Sequence, residues 1–456
     1  MHTSVVVLVI SMTTTLAYSL IPSQLLLLHS RTPRLSADST LTKSVALERD
    51  EESALPSGIS GPRSKSQKGG GREPRTVGFR ANIGWRAVSH DDLRLHPLYE
   101  SLPLHPSEAS PDNISPALFH RFRQDSLQWA LLHSGRLTTS IAAACAGFYE
   151  EANAKVLGVP RSLVSHSRVL SAWNRLLEPP LDDLAQLCRM NSDAKESTPR
   201  PIPWRGPKED SLFPYEYRPS RGGSRGGSGE TSATRARLRW GSAQEATAIL
   251  TAVNFFSKEN ATVAEVGLCP LECVEGLPPE IEAWRAEHTL PLIGASPDGL
   301  IKYPDGSSEV LEVKCSSPFV SSPNKSTGHK LELRKFCRDP GVAVWHMAQL
   351  QLEVLCAGPR CKGAVLVALS ATDGASIYRI VRDDDYITEL LYWVRTFYIN
   401  FCMNPLAPEP NFVNVANERY AAFLNRTIAM SKSAMLVRKL YQHEVQRSPL
   451  NTDFFL

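Results

Sequence analysis

No apolar run in this 456-residue chain is long and clean enough to cross a bilayer, which takes about 20 consecutive apolar residues as a helix. Nor is there an excess of one charge. Lys and Arg number 50 against 47 Asp and Glu, for a net charge of +3. A protein that grips nucleic acid over its whole surface is thereby excluded, and any such site must be a local basic stripe. Candidate stripes are Lys325, Lys330, Arg334, Lys335 and Arg338, and Arg235, Arg237 and Arg239. Each also reads as an ordinary solvated face. Tight Cys-x-x-Cys pairs are missing too. Several of the nine cysteines lie in apolar runs, where a free thiol behaves as a small hydrophobe. Cys269/Cys273 and Cys356/Cys361 are spaced too loosely to carry the expectation of an iron–sulfur cluster.

The N-terminus lacks the Lys or Arg that opens a typical signal peptide, yet Val5 to Ile10 is a short apolar core. Ala17-Tyr18-Ser19 offers small residues for cleavage, so residues 1–19 read as a signal peptide. Residues 20–85 read as transit-like sequence up to Lys43, then a disordered stretch rich in Ser, Gly, Pro and charge. The expectation is an organelle, plastid or mitochondrion, with the secretory pathway as the alternative. A reduced-looking cysteine set favours the former.

The 33 prolines and the polar N-terminal third argue for one packed domain with irregular additions. We place that domain at 86–410, with Pro- and His-containing sequence at 86–125 wrapping onto it. Helices are expected at 126–148, 161–177 and 181–190. A Ser197–Thr234 insertion contains Arg-Gly-Gly repeats, which fit a passive linker or a single-strand contact. Helices at 237–256 and 342–356, strands at 363–370 and 376–381, and a helix at 384–402 follow. The fold class is α/β, a mixed sheet flanked by helices. Residues 411–456 are expected to add helices, with Val413 to Gln446 forming one or two.

The chemistry is concentrated in Ser296-Pro297-Asp298-Gly299 and Leu311-Glu312-Val313-Lys314-Cys315. Leu300 to Tyr303 and Ser308 to Cys315 read as strands joined by Pro304-Asp305-Gly306, where Pro presets φ and Gly accepts a left-handed turn. If Tyr303 faces Ser307, Asp298 falls opposite Glu312. Two carboxylates so paired repel, and a divalent cation between them removes the conflict. Glu312 and Lys314 share one face of their strand. Each fragment alone is weak: Pro-Asp-Gly is usually a turn, and Glu-x-Lys usually a solvated face. Glu245 lies on the same helical stripe as Ala248, Ile249 and Ala252, a costly place for an unpaired acid. Gln349 and Gln351 sit in an apolar helix, and either one could bind a water or a phosphate.

The order Arg239-Trp240-Gly241-x-x-x-Glu245, Ser-Pro-Asp298-Gly-Leu, Leu-Glu312-Val-Lys314-Cys and Met347-Ala-Gln349-Leu-Gln351 resembles the YqaJ-type viral recombinase family, which includes phage lambda exonuclease, within the PD-(D/E)xK nuclease superfamily. The resemblance spans roughly residues 125–400. It implies a restriction-endonuclease-like core and a Mg²⁺- or Mn²⁺-dependent exonuclease acting at DNA ends in recombination or repair. Asp298, Glu312 and the Val313 carbonyl would hold the ion, Lys314 would orient or deprotonate the attacking water, and Glu245 and Gln349 would complete the site. Ser140 and Arg239 would meet DNA phosphates. His133 stands where the family pattern leads one to expect an arginine, with Arg136 three residues on. The implied partners are DNA, further copies of the chain in an oligomer, and a single-strand annealing or recombinase protein. An endonuclease, an RNA or single-strand nuclease, and a non-catalytic nucleic-acid-binding protein are the alternatives.

A fluorescent protein fused behind residues 1–60 is expected to enter an organelle; a cytosolic signal would exclude targeting.

Overall fold

Pro304, Asp305 and Gly306 turn the chain back on itself as their residue types require. Gly306 takes φ 79°, a left-handed value that suits glycine, and its N–H donates to the Tyr303 carbonyl at 3.0 Å. The flanking ladder runs Gly299↔Leu311, Leu300↔Val310, Ile301↔Glu309 and Lys302↔Ser308, the expected register. The structure, a computed structural model, describes residues 86–103, 106, 114–181, 184, 187, 232–324, 328–333, 341–445 and 452–453. These belong to one compact unit, Gly78–Leu456.

In chain order the strands used below are β1 (Tyr99–Glu100), β2 (Arg136–Thr138), β3 (Thr262–Ala264), β4 (Cys269–Pro270), β5 (Leu292–Ala295), β6 (Gly299–Lys302), β7 (Ser308–Ser316), β8 (Phe319–Asn324), β9 (Gly328–Leu333), β10 (Cys361–Ser370), β11 (Gly374–Val381) and β12 (Met435–Leu440). Seven form one mixed sheet in the order β12-β11-β10-β7-β6-β3-β1. Within it β10 runs parallel to β7, and β1 parallel to β3. A parallel pair needs a long crossover, and the one between β7 and β10 carries a helix. A small sheet, β2-β5-β4, stands apart, and β8 pairs with β9 alone.

Five helices matter to the site: α1 (Thr139–Cys145), α2 (Ser232–Phe256), α3 (Met347–Cys356), α4 (Asp384–Phe397) and α5 (Glu418–Ser433). Alternation along β7 sorts its side chains between two cores. Leu311 and Val313 join Ile249 and Val253 of α2 on one face. Val310 joins residues of α1, α3, α4 and α5 on the other. The result is an α/β architecture, a large mixed sheet with helices on both faces. No described helix is long and apolar enough to cross a membrane.

Several expectations need correction. The single helix expected at 126–148 is broken into Leu127–Leu132, then β2, then α1. Gly135 makes the break: it has φ 65°, and a Cβ there would lie 2.6 Å from the Glu178 carbonyl oxygen. The helix expected at 161–177 starts only at His166, where the Ser165 side chain caps it. The α2 helix starts at Ser232, inside the insertion assigned to 197–234; the rest of that insertion, the leader at 1–85 and most of 181–190 lie outside the described residues. Helix α4 ends at Phe397 and passes into a π-turn over Tyr398–Met403. Past 410 the chain is not purely helical. After α5, β12 adds an edge strand antiparallel to β11. Tyr420, Phe423 and Leu424 of α5 are buried, with the Phe423 ring 5.4 Å from Tyr386 and 5.7 Å from Phe148. This segment is therefore part of the core.

Gly374, which opens β11, has φ 85°, and a Cβ there would lie 2.0 Å from the Leu440 carbonyl oxygen. Gly374→Ala is expected to push β12 off the sheet edge and cost about 1–3 kcal/mol. Urea unfolding with an unchanged midpoint would contradict that contact.

Candidate active site

Ser296, Pro297 and Asp298 carry the chain from β5 in the small sheet to β6 in the large one. Side chains from before β2 hold this crossing. Trp129 Nε1 donates to Ser296 Oγ at 3.0 Å, and Gln124 Nε2 donates to the Pro297 carbonyl at 2.8 Å. From the other side Val313 N–H donates to Asp298 Oδ2 at 2.7 Å. One step beyond the last ladder pair, Asp298 falls across from Glu312, as the hairpin register requires.

Glu312 is 4% exposed. Its Oε1 accepts from Lys314 Nζ and from Gln349 Nε2 at 2.7 Å. The same Gln349 nitrogen donates to Glu353 Oε1 at 2.8 Å. Of the two glutamines, then, Gln349 joins the acids. Gln351 is structural: its amide donates to the Val381 carbonyl at 2.8 Å and accepts from Asp383 N–H at 3.0 Å.

Glu353 was not foreseen. It is 1% exposed on α3, and Thr139 Oγ1 donates to its Oε1 at 3.1 Å. The signal was present, since Glu353 interrupts the apolar run Leu350-x-Leu352-x-Val354-Leu355. The reasoning applied to Glu245, that an acid in an apolar stripe needs a purpose, applies to it more strongly. His90 was missed as well. Its Nε2 lies 3.3 Å from Glu245 Oε1, both side chains being partly exposed. Nothing in the local sequence around His90 marks it; the contact spans 155 residues.

Electrostatics follow from this crowding. Burial pushes the Asp298 carboxyl well above the usual carboxylate range, and Glu312 and then Glu245 add to the shift. Burial does the same to Glu353, with Glu312 adding to it. Burial alone would lower the Lys314 ammonium's pKa, but Glu312 and Asp298 outweigh it and the value is raised. His346, just before α3, is lowered to about 3, by burial and then by Lys314. Glu245 comes from α2, on the face of the sheet opposite α3, and senses Asp298 at the sheet's end.

The residues assigned to DNA phosphates divide. Ser140 is exposed on the first turn of α1, its hydroxyl 3.0 Å from that of Thr138. Arg239 is exposed on α2. His133 is buried; its Nδ1–H donates to the Trp129 carbonyl at 2.7 Å and its Nε2 lies 3.3 Å from Ser296 Oγ. Burial, with Arg175 and Arg136 nearby, lowers its pKa to about 4. A neutral ring so placed braces the Ser296–Asp298 crossing and carries no charge for a phosphate. Arg136 is also buried, paired with Glu272 at 2.6 Å.

No protein-family model matches the chain, and neither a curated protein nor a solved structure matches it. The donor set can still be judged for a cation. Among the described residues no three His, Cys, Asp or Glu side chains converge as a ready-made cage. Two facing carboxylates, Asp298 and the buried Glu312, are a different kind of site. They suit a hard ion such as Mg²⁺, which binds through one or two carboxylates and keeps several waters.

A buried acid with a raised pKa makes stability depend on pH in a defined direction. Below about pH 4 it is protonated folded and unfolded alike. As pH rises the unfolded chain ionises first, so stability is lost up to the folded pKa. Glu353→Gln keeps an acceptor for Thr139 and Gln349 and removes the titration. We expect its Tm to exceed that of the unaltered protein at about pH 8, with the gap closing toward about pH 4. Calorimetry showing a gap that does not change with pH would contradict the assignment.

Proposed function

We propose that the chain is a metal-dependent nuclease that hydrolyses phosphodiester bonds at DNA ends. The observation that carries this reading is the convergence of Asp298, Glu312, Lys314 and Gln349 at one sheet end, with Asp298 held by Val313 N–H at 2.7 Å. Asp298, Glu312 and the Val313 carbonyl would hold Mg²⁺ or Mn²⁺, which when bound polarises the phosphate and lowers the pKa of water. Lys314, kept charged by its carboxylate neighbours, orients the attacking water and gives positive charge to the phosphate oxygens. Gln349 fixes Glu312 from α3. Glu245 and His90 form the partly exposed side of the cluster, where a strand can approach. The restriction-endonuclease-like description of the core belongs to the same proposal. It is supported by the order hairpin, helix α3, parallel strand β10 around the acids. So do action on organellar DNA, assembly into an oligomer, and a recombinase or single-strand annealing partner.

An end-labelled linear duplex with Mg²⁺ is the test. The unaltered protein is expected to shorten it and to leave a closed circle intact. Asp298→Asn keeps an acceptor for Val313 N–H and is expected to abolish cleavage without loss of fold. Lys314→Ala is expected to cost about 10²- to 10⁴-fold in rate. Cleavage by Asp298→Asn at the normal rate would sink the reading. Tight binding with no cleavage in either metal would favour a nucleic-acid-binding protein instead.

A further inference from the structure

Gln349 is the one amide among the candidate catalytic groups, and an amide has two distinct ends. Which end faces Glu312 decides whether the contact is an attraction or a clash of two acceptors. The structure fixes this with a second acid. Both N–H bonds of the Gln349 amide have an acceptor: Glu312 Oε1 at 2.7 Å and Glu353 Oε1 at 2.8 Å. Glu353 lies four residues on, one turn along the same face of α3. Glu353 in turn is held by Thr139 Oγ1 at 3.1 Å, from the first turn of α1. Its Oε2 is buried with no hydrogen-bond partner among the described residues. An acid placed there, 1% exposed, is too enclosed to meet a substrate directly.

We infer that Glu353 is a positioning residue for Gln349. It takes one amide N–H so that the other is locked onto Glu312 and the amide oxygen is turned away from both acids. Thr139 sets the rotamer of Glu353, so the line Thr139–Glu353–Gln349–Glu312 ties α1 to the hairpin that bears Glu312 and Lys314. The role needs an acceptor of the right length at residue 353 and not a charge. This rests on the nuclease reading for its consequence, but not for its geometry.

Two measurements test it. In the full chain with selectively labelled glutamine, NMR follows exchange of the Gln349 side-chain amide, assigned by its loss in Gln349→Ala. Exchange is expected to be slow in the unaltered protein and in Glu353→Gln. It is expected to speed up in Glu353→Leu, which removes the acceptor, and in Glu353→Asp, which withdraws it by one methylene while staying polar. In Mg²⁺-dependent digestion of the linear duplex, Glu353→Gln is expected to keep kcat within about twofold. Glu353→Leu and Glu353→Asp are expected to lower kcat about 10- to 100-fold with KM little changed. Because Glu353 acts through Gln349, adding Glu353→Leu to Gln349→Ala should lower kcat no further. Slow exchange retained in both Glu353→Leu and Glu353→Asp would overturn the inference, as would losses that multiply in the double variant. Absence of cleavage by the unaltered protein would defeat the nuclease reading alone, since the amide exchange would still report on position.

Discussion

One crowded point organises this molecule: the place where Asp298 leaves the small sheet and meets Glu312 across the hairpin. Two carboxylates in that position repel, and burial adds to the cost. The surroundings answer with donors. Val313 N–H serves Asp298, and Lys314 Nζ and the Gln349 amide serve Glu312. Each donor comes from a different requirement of the fold. Val313 is fixed by the hairpin register, Lys314 by alternation along β7, and Gln349 by the docking of α3 over that face. Removing any one takes a donor from a buried carboxylate, so packing and chemistry cannot be separated here.

The sheet makes this convergence possible because β7 is covered on both faces. Glu312 and Lys314 look toward α3, while Leu311 and Val313 look toward α2. Asp298 belongs to neither face. It sits at the strand end, where Glu245 from α2 and Glu312 from the other face both bear on it. The bracing of the Ser296–Asp298 crossing by Gln124 and Trp129, with His133 beside it, is therefore as much a part of the site as the acids. A histidine suited by sequence order to a phosphate instead contributes rigidity, because its ring is buried against Trp129 with centroids 4.1 Å apart.

What was legible in the sequence was local. Pro304-Asp305-Gly306 specified the turn, the turn specified the register, and the register placed Asp298 against Glu312. Short-range chemistry of this kind survives folding unchanged. The break of the 126–148 helix was not legible, because its cause is the approach of Glu178 to Gly135, a contact over 43 residues. Neither was β12. The sequence Met435-Leu436-Val437-Arg438 reads equally as helix, and only the open edge of β11 makes it a strand. Glu353 was legible and missed, for the apolar run around it should have raised the question that Glu245 raised. His90 was not, since its partner Glu245 lies far away in sequence.

Charge balance gives the cluster its sharpest physical meaning. Asp298, Glu312 and Glu245 together carry three negative charges when ionised, and Lys314 returns one. Glu353, buried on α3, is pushed toward its neutral form by that burial and by Glu312. Acidic groups thus outnumber basic ones at the end of a buried hairpin, and Glu312 and Glu245 add to the burial that raises the Asp298 pKa. Only two things can settle such a point: protons, or a divalent cation. Protons would leave the acids without their charge at neutral pH and would waste the alignment of Val313, Lys314 and Gln349. A divalent cation, the one the proposed nuclease chemistry calls for, would balance the charge while keeping every donor in use.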